Sequence, residues 1–130
     1  MSSARWHKAL RPVVYCAPNP ATALLEILVH IEIDLDELPE PLQYLEIEVP
    51  DTTSAETFQP DAVGPHWQTD VQATQTAGDE WLKSGRTALL SVPSAIVPAT
   101  WNVLINPQHR DSACIRVARV HEQAIDPRLL

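Results

Sequence analysis

Arg5 in ARWH, Tyr15 closing PVVY, Glu26 inside ALLEILVH and Ser94 in VPSAIVP are polar side chains set in apolar segments. Together they offer a cation for phosphate, a ring for stacking, an anion for a developing positive charge and a hydroxyl for hydrogen bonding, the set that a phosphorylated, ring-bearing substrate needs. Glu26 is the most demanding, because its helical neighbours Leu24, Leu25, Ile27, Leu28 and Val29 leave little polar surface and a buried carboxylate is costly unless paired or used. It sits at a partly exposed helix edge, or in a structural pair with His30 four residues on, or in a pocket wall where it can hold ribose hydroxyls or an oxocarbenium-like charge.

The remaining candidates also have two readings. Tyr15 can pack its ring on the core or stack on a ligand ring. Ser94, between Pro93 and Ala95, lies at a forced bend where a hydroxyl commonly bonds the local backbone, and it lacks the nucleophile-elbow context of a serine hydrolase. Asn102 and Asn106 in TWNVLINP are residue types that usually stabilise turns.

The elements that must position these residues are legible in outline. Val13, Val14 and Tyr15 between Pro12 and Pro18 read as a short strand leading into a turn. Asn19 as N-cap, Pro20 at the first helical position and the spacing of Ala21, Leu24, Leu25, Leu28 and Ile31 predict a helix that carries Glu26. QYLEIEV alternates, which predicts a strand with Leu45, Ile47 and Val49 on a buried face and Glu46 and Glu48 on a wet one. Residues 50–68, with Pro50, Pro60 and Pro65, read as an ordered loop ending with Trp67 on the core. From about Thr69 to Ser84 a second helix is expected, with Val71, Ala77, Trp81 and Leu82 inward, Gly85 as its stop and Gly78 weakening its middle. ALLSVP, NVLI and CIRVARV supply three further strands, with a bend near Ser94. The fold class is therefore α+β, a curved, mostly antiparallel sheet with flanking helices.

At 130 residues the chain fits one domain able to bury its own core, and its 45% apolar and 20% charged content is that of a globular protein. The net charge of −8 argues against a general nucleic-acid surface. No Lys or Arg occurs between Arg11 and Lys83, and the acidic residues from Glu32 to Asp51 read as a solvated face. Arg5, Lys8 and Arg11 form a small cationic group, either surface charge or an anion site. Cys16 and Cys114 lack metal-ligand spacing, the five histidines are scattered, and no long apolar span is present, so neither a structural metal nor a membrane segment is expected and a reducing cytosol fits.

The run RWHKALRPVVY, then PATALLEILVH placing Glu26 eleven positions after Tyr15, then GDEWL, VPSAIVP, NVLINPQH and a final DPRLL resembles the RES-domain family in order and spacing across nearly the whole chain. That family is named for an arginine, a glutamate and a serine. The resemblance implies the toxin of a bacterial toxin–antitoxin pair, a fold similar to ADP-ribosyltransferase toxins and cleavage of NAD by hydrolysis, phosphorolysis or ADP-ribosyl transfer. It also implies an Xre-type antitoxin that covers the pocket and makes any DNA contact, and this habit of assembly, with Trp67 and Trp101 as candidate exposed aromatics, points to a homodimer inside the heteromeric complex. Arg5 then matches the arginine that forks onto the NAD pyrophosphate, Tyr15 the ring beside the nicotinamide, Glu26 the carboxylate near the scissile ribose with His30 supporting it, and Ser94 the serine that binds the nicotinamide amide or ribose. Asn102 joins them as an NAD-binding candidate. Two departures accompany the resemblance: only Met1 to Ala4 precede Arg5, an N-terminally short single RES-like domain over 1–130, and Leu10 stands where the family has Gly. They imply the alternative of a catalytically impaired RES-like protein that retains antitoxin binding.

Overall fold

The computed structural model describes residues 5–8, 11–30 and 41–129. Leu10, the side chain of His30 and the acidic positions from Glu32 to Glu40 lie outside them, and with these the expected Glu26–His30 pair and the altered turn at Leu10. Strand β1 (Val14–Cys16) leads to helix α1 (Pro20–His30), followed by β2 (Leu42–Glu48), β3 (Ala55–Thr57), helix α2 (Val71–Ser84), β4 (Leu89–Pro93), β5 (Trp101–Ile105) and β6 (Arg116–Gln123). Among the described residues no helix is long and apolar enough to cross a membrane.

Both helices start where their capping residues ask. Asn19 Oδ1 accepts the Thr22 N–H at 2.8 Å, ahead of Pro20. Asp70 Oδ1 accepts the Ala73 N–H at 3.1 Å, and α2 ends on Gly85 in the left-handed region at φ 62°. The α+β expectation holds and the strand pairings are antiparallel except one. The strands are shared between two sheets, however, ordered β1-β5-β4-β3 and β2-β6.

The first sheet carries the core. Leu90 lies opposite Leu104, and Val92 joins them inside with Trp6, Phe58, Trp81 and Leu82. Trp6 and Phe58 meet edge to face with centroids 4.8 Å apart, and the buried Trp81 indole donates to Thr87 Oγ1 at 2.9 Å. The loop expected over 50–68 contains β3, which runs parallel to β4; the Phe58 N–H then donates to the Ser91 carbonyl at 2.9 Å and brings Phe58 into the core. Three residues with no apolar alternation take strand form because the edge of β4 offers its backbone groups, not because of local propensity.

Two inward assignments are corrected. Leu45 is 53% exposed, since among the described residues β2 pairs with β6 alone and the apolar cross-strand pairs Leu45–Val120 and Ile47–Val117 lie on a ribbon separate from the core sheet. Val71, at the first position of α2, is 42% exposed, and the buried face of the helix is set by Thr74, Gly78, Trp81 and Leu82. On the ribbon, Glu48 faces Arg116 at 2.6 Å and Glu46 faces Arg119 at 3.7 Å, so these two carboxylates are partnered by β6. Such exposed pairs contribute about 0.2–1 kcal/mol each.

Candidate active site

Four separate segments bring the site together. The segment 5–8 passes over α2 and presents Arg5, β1 presents Tyr15, the middle of α1 presents Glu26, and the β4–β5 hairpin presents Ser94 from its connection and Asn102 from β5. All five line one cavity of about 490 Å³, within the range of about 300–1,000 Å³ typical of small-molecule sites, with Trp6, Ile27 and Val92 forming apolar wall.

The carboxylate is fixed by the sheet. Ser94 follows Pro93, which ends β4, and its N–H donates to the Thr100 carbonyl at 2.8 Å, closing the bend. Ser94 Oγ accepts the N–H groups of Ile96 at 3.3 Å and Val97 at 3.1 Å and donates its one proton to Glu26 Oε1 at 2.9 Å. Asn102, opposite Val92 in the β4–β5 register, donates from Nδ2 to the same oxygen at 3.0 Å. The Asn102 amide oxygen is buried and has no protein partner among the described residues. Glu26 is therefore a first contact of the cavity held from behind, and Ser94 is committed to holding it.

Arg5 is fixed just as firmly. Its Nη2 donates to the backbone carbonyls of Trp67 at 3.0 Å and Gln68 at 2.6 Å, its guanidinium lies 5.6 Å from the Trp67 ring centroid, and Thr74 Oγ1 donates to its own carbonyl at 2.9 Å. Two carbonyls thus occupy one arm of the fork, while the buried Nε has no partner among the described residues. Burial pulls the pKa of Arg5 down and the charge of Glu26 pulls it back up; the group stays cationic.

Tyr15 Oη accepts the Trp6 N–H at 3.3 Å and lies 2.7 Å from His7 Nδ1. Burial, offset in part by the Trp6 bond, pushes the phenol up to about 12, so it is neutral at physiological pH. Burial pulls His7 down against the opposing pull of Asp79. A neutral His7 with Nδ1 unprotonated accepts the Tyr15 proton, which satisfies both groups. Cys16, also on the cavity, has its thiol pushed up by burial and stays protonated, unsuited to nucleophilic attack.

The RES domain profile matches residues 1–126. The chain belongs to the RES domain family. A protein of Pseudomonas putida named "Toxin Res" is 43% identical over 127 residues, covering 98% of this chain and 86% of the relative. The "Prs ADP-ribosylating toxin" of Sphingobium sp. is 37% identical over 134 residues, covering 100% of this chain and 82% of the relative. The "Toxin Res" of Photorhabdus laumondii is 36% identical over 129 residues, covering 97% and 81%.

Arg5, Glu26 and Ser94 share one cavity, with Tyr15 and Asn102 beside them. Sequence reasoning missed what positions them. His7, one of the five scattered histidines, ties the segment 5–8 to Tyr15, while on α2 Thr74 bonds the segment and Gly78, read only as a weak point of the helix, makes room for it. Their only sequence signal is a small polar residue and a glycine four apart on the buried face of an amphipathic helix.

His7 gives the fold a pH dependence of defined sign. Its pKa is lowered in the fold, so on acidification the unfolded chain takes up the proton first and stability falls as pH drops from about 6.5 toward the lowered folded value. Thermal midpoints from pH 7.5 to 5 are expected to fall more steeply for the wild type than for His7→Gln. Parallel slopes would remove His7 as the source.

Proposed function

We propose that this RES domain is a toxin that cleaves the nicotinamide–ribose bond of NAD and passes ADP-ribose to water, phosphate or a protein side chain. The observation that carries the reading is the Glu26 carboxylate, anchored through Oε1 by Ser94 and Asn102 in the same cavity as Arg5 and Tyr15. The name of the Sphingobium relative supports ADP-ribosyl chemistry.

The residues suit this substrate. Nicotinamide leaves as a neutral molecule with the electron pair of the C1′–N bond, and the ribose develops oxocarbenium character that the fixed Glu26 anion stabilises without reorganising. The acceptor's lone pair then forms the new bond to C1′ and its proton passes to solvent. The orphaned Asn102 amide oxygen suits the carboxamide N–H of nicotinamide, and the neutral Tyr15 ring suits its face. Arg5 meets the pyrophosphate through the part of its guanidinium that Trp67 and Gln68 leave, since both of their carbonyls engage Nη2. Ser94 acts through Glu26: its single proton is already donated there, which shifts its role from ligand binding to orientation.

The proposed partner is an Xre-type antitoxin that covers the cavity and carries the DNA contacts, in keeping with this chain's net charge of −8; two copies of the chain sit in the heteromeric complex, in the cytoplasm. Against the alternative of an impaired RES-like protein stands the assembly of every candidate side chain around one cavity. Incubating the purified chain with NAD and following nicotinamide by chromatography is expected to show release, and the mass of the ADP-ribosyl product identifies the acceptor. No release from the wild-type chain would overturn the enzymatic reading.

A further inference from the structure

The cavity continues past Ser94. A second pocket of about 290 Å³ shares Pro93, Ser94 and Ala95 with the first and is otherwise walled by residues that include Trp67, Gln68, Ile96 and Trp101. Among the described residues its lining holds no ionisable side chain, in contrast to the Arg5 and Glu26 of the first pocket. Trp67 stands at the junction: Arg5 lies against its ring while the second pocket uses it as wall. Trp101, also in its wall, is 44% exposed. Ala99, also in the wall, is held at φ 56°, a left-handed backbone that a residue with a Cβ adopts only where the surrounding structure imposes it.

We infer that this second pocket is the adenine subsite of the dinucleotide, with Trp101 and Trp67 as stacking surfaces and the Gln68 amide as hydrogen-bonding partner to the base. The inference rests on the NAD reading above. A neutral pocket with indole walls fits a purine face, and a side-chain amide offers the donor–acceptor pair that matches an adenine edge. On this assignment Tyr15, Glu26 and Asn102 face the nicotinamide ribose, Arg5 the pyrophosphate and the tryptophans the adenylate. Gln68 is suited because its backbone carbonyl is already fixed by Arg5 at 2.6 Å, so the phosphate and base contacts are coupled through one residue.

The test compares NAD with nicotinamide mononucleotide, which has the scissile bond and no adenylate. In Trp101→Ala the ratio of kcat/KM for NAD to kcat/KM for the mononucleotide is expected to fall about ten- to hundredfold, the range of a lost base stack, with recovery in Trp101→Phe. An unchanged ratio overturns the subsite while nicotinamide release leaves the NAD reading standing. AMP is titrated separately against the wild-type chain by calorimetry. Binding that Trp101→Ala weakens supports the subsite even without turnover, and failure of AMP to bind overturns it whatever the nicotinamide assay gives.

Discussion

Gly78→Ala is expected to lower the thermal midpoint by roughly 5–15 °C and to abolish nicotinamide release, although alanine is the better helix former. In an open helical position the exchange stabilises by up to about 1 kcal/mol. At Gly78 a Cβ would overlap the Trp6 carbonyl, with the Trp6 carbonyl carbon close behind, and no rotamer change relieves a clash with backbone. The segment that must give way is held from several sides: Trp6 packs on Phe58, Thr74 donates to the Arg5 carbonyl, and Asp79 accepts the Lys8 N–H at 2.9 Å. Overpacking of this kind costs roughly 1–3 kcal/mol or more, which for a chain of this size corresponds to the stated drop. Because the displaced segment carries Arg5 and the Tyr15 contacts, activity goes with it. Thr76→Ala on the exposed side of α2 serves as the reference. A Gly78→Ala chain that melts with or above that reference and still releases nicotinamide would show that the passage of residues 5–8 over α2 is not tight.

What could be read from the sequence follows from what is local. The N-cap Asn19, Pro20 and Gly85 act on their own neighbours, and α1 begins and α2 ends where those residues direct. The strands at 89–93, 101–105 and 116–123 were legible from β-branched content between prolines and turns. β3 was not, because its three residues are recruited by a neighbour 34 positions away in the pairing Ala55–Leu89. The alternation of β2 correctly gave a strand but wrongly gave it a core face, since period two says which side chains share a face and not what covers it. The site residues were visible as polar intrusions and through a family resemblance. Their roles depended on hydrogen bonds between distant segments, Ser94 to Glu26 and Arg5 to Trp67 and Gln68, which no local pattern encodes.

Glu26→Gln is expected to reduce kcat for nicotinamide release by about a hundredfold or more, with KM for NAD changed far less. The amide keeps the shape and an oxygen that accepts from Ser94 and Asn102, so what is lost is the negative charge near the scissile ribose, and removal of one such electrostatic group typically costs 10²–10³-fold in rate. Stability moves little, because removing a part-buried carboxylate relieves desolvation while taking a countercharge from Arg5. Ser94→Ala differs in kind. It strips one donor from Oε1 and also an acceptor from the Ile96 and Val97 N–H groups, so it lowers both rate and melting temperature. The double variant separates the two possible roles of the serine. If Ser94 acts by orienting the carboxylate, adding Ser94→Ala to Glu26→Gln lowers kcat little beyond the single Glu26 change, because the charge being oriented is already gone and the two effects are non-additive. A second full loss of rate in the double variant would mean that the hydroxyl touches the substrate itself, and its proton would then have to leave Glu26 when NAD binds.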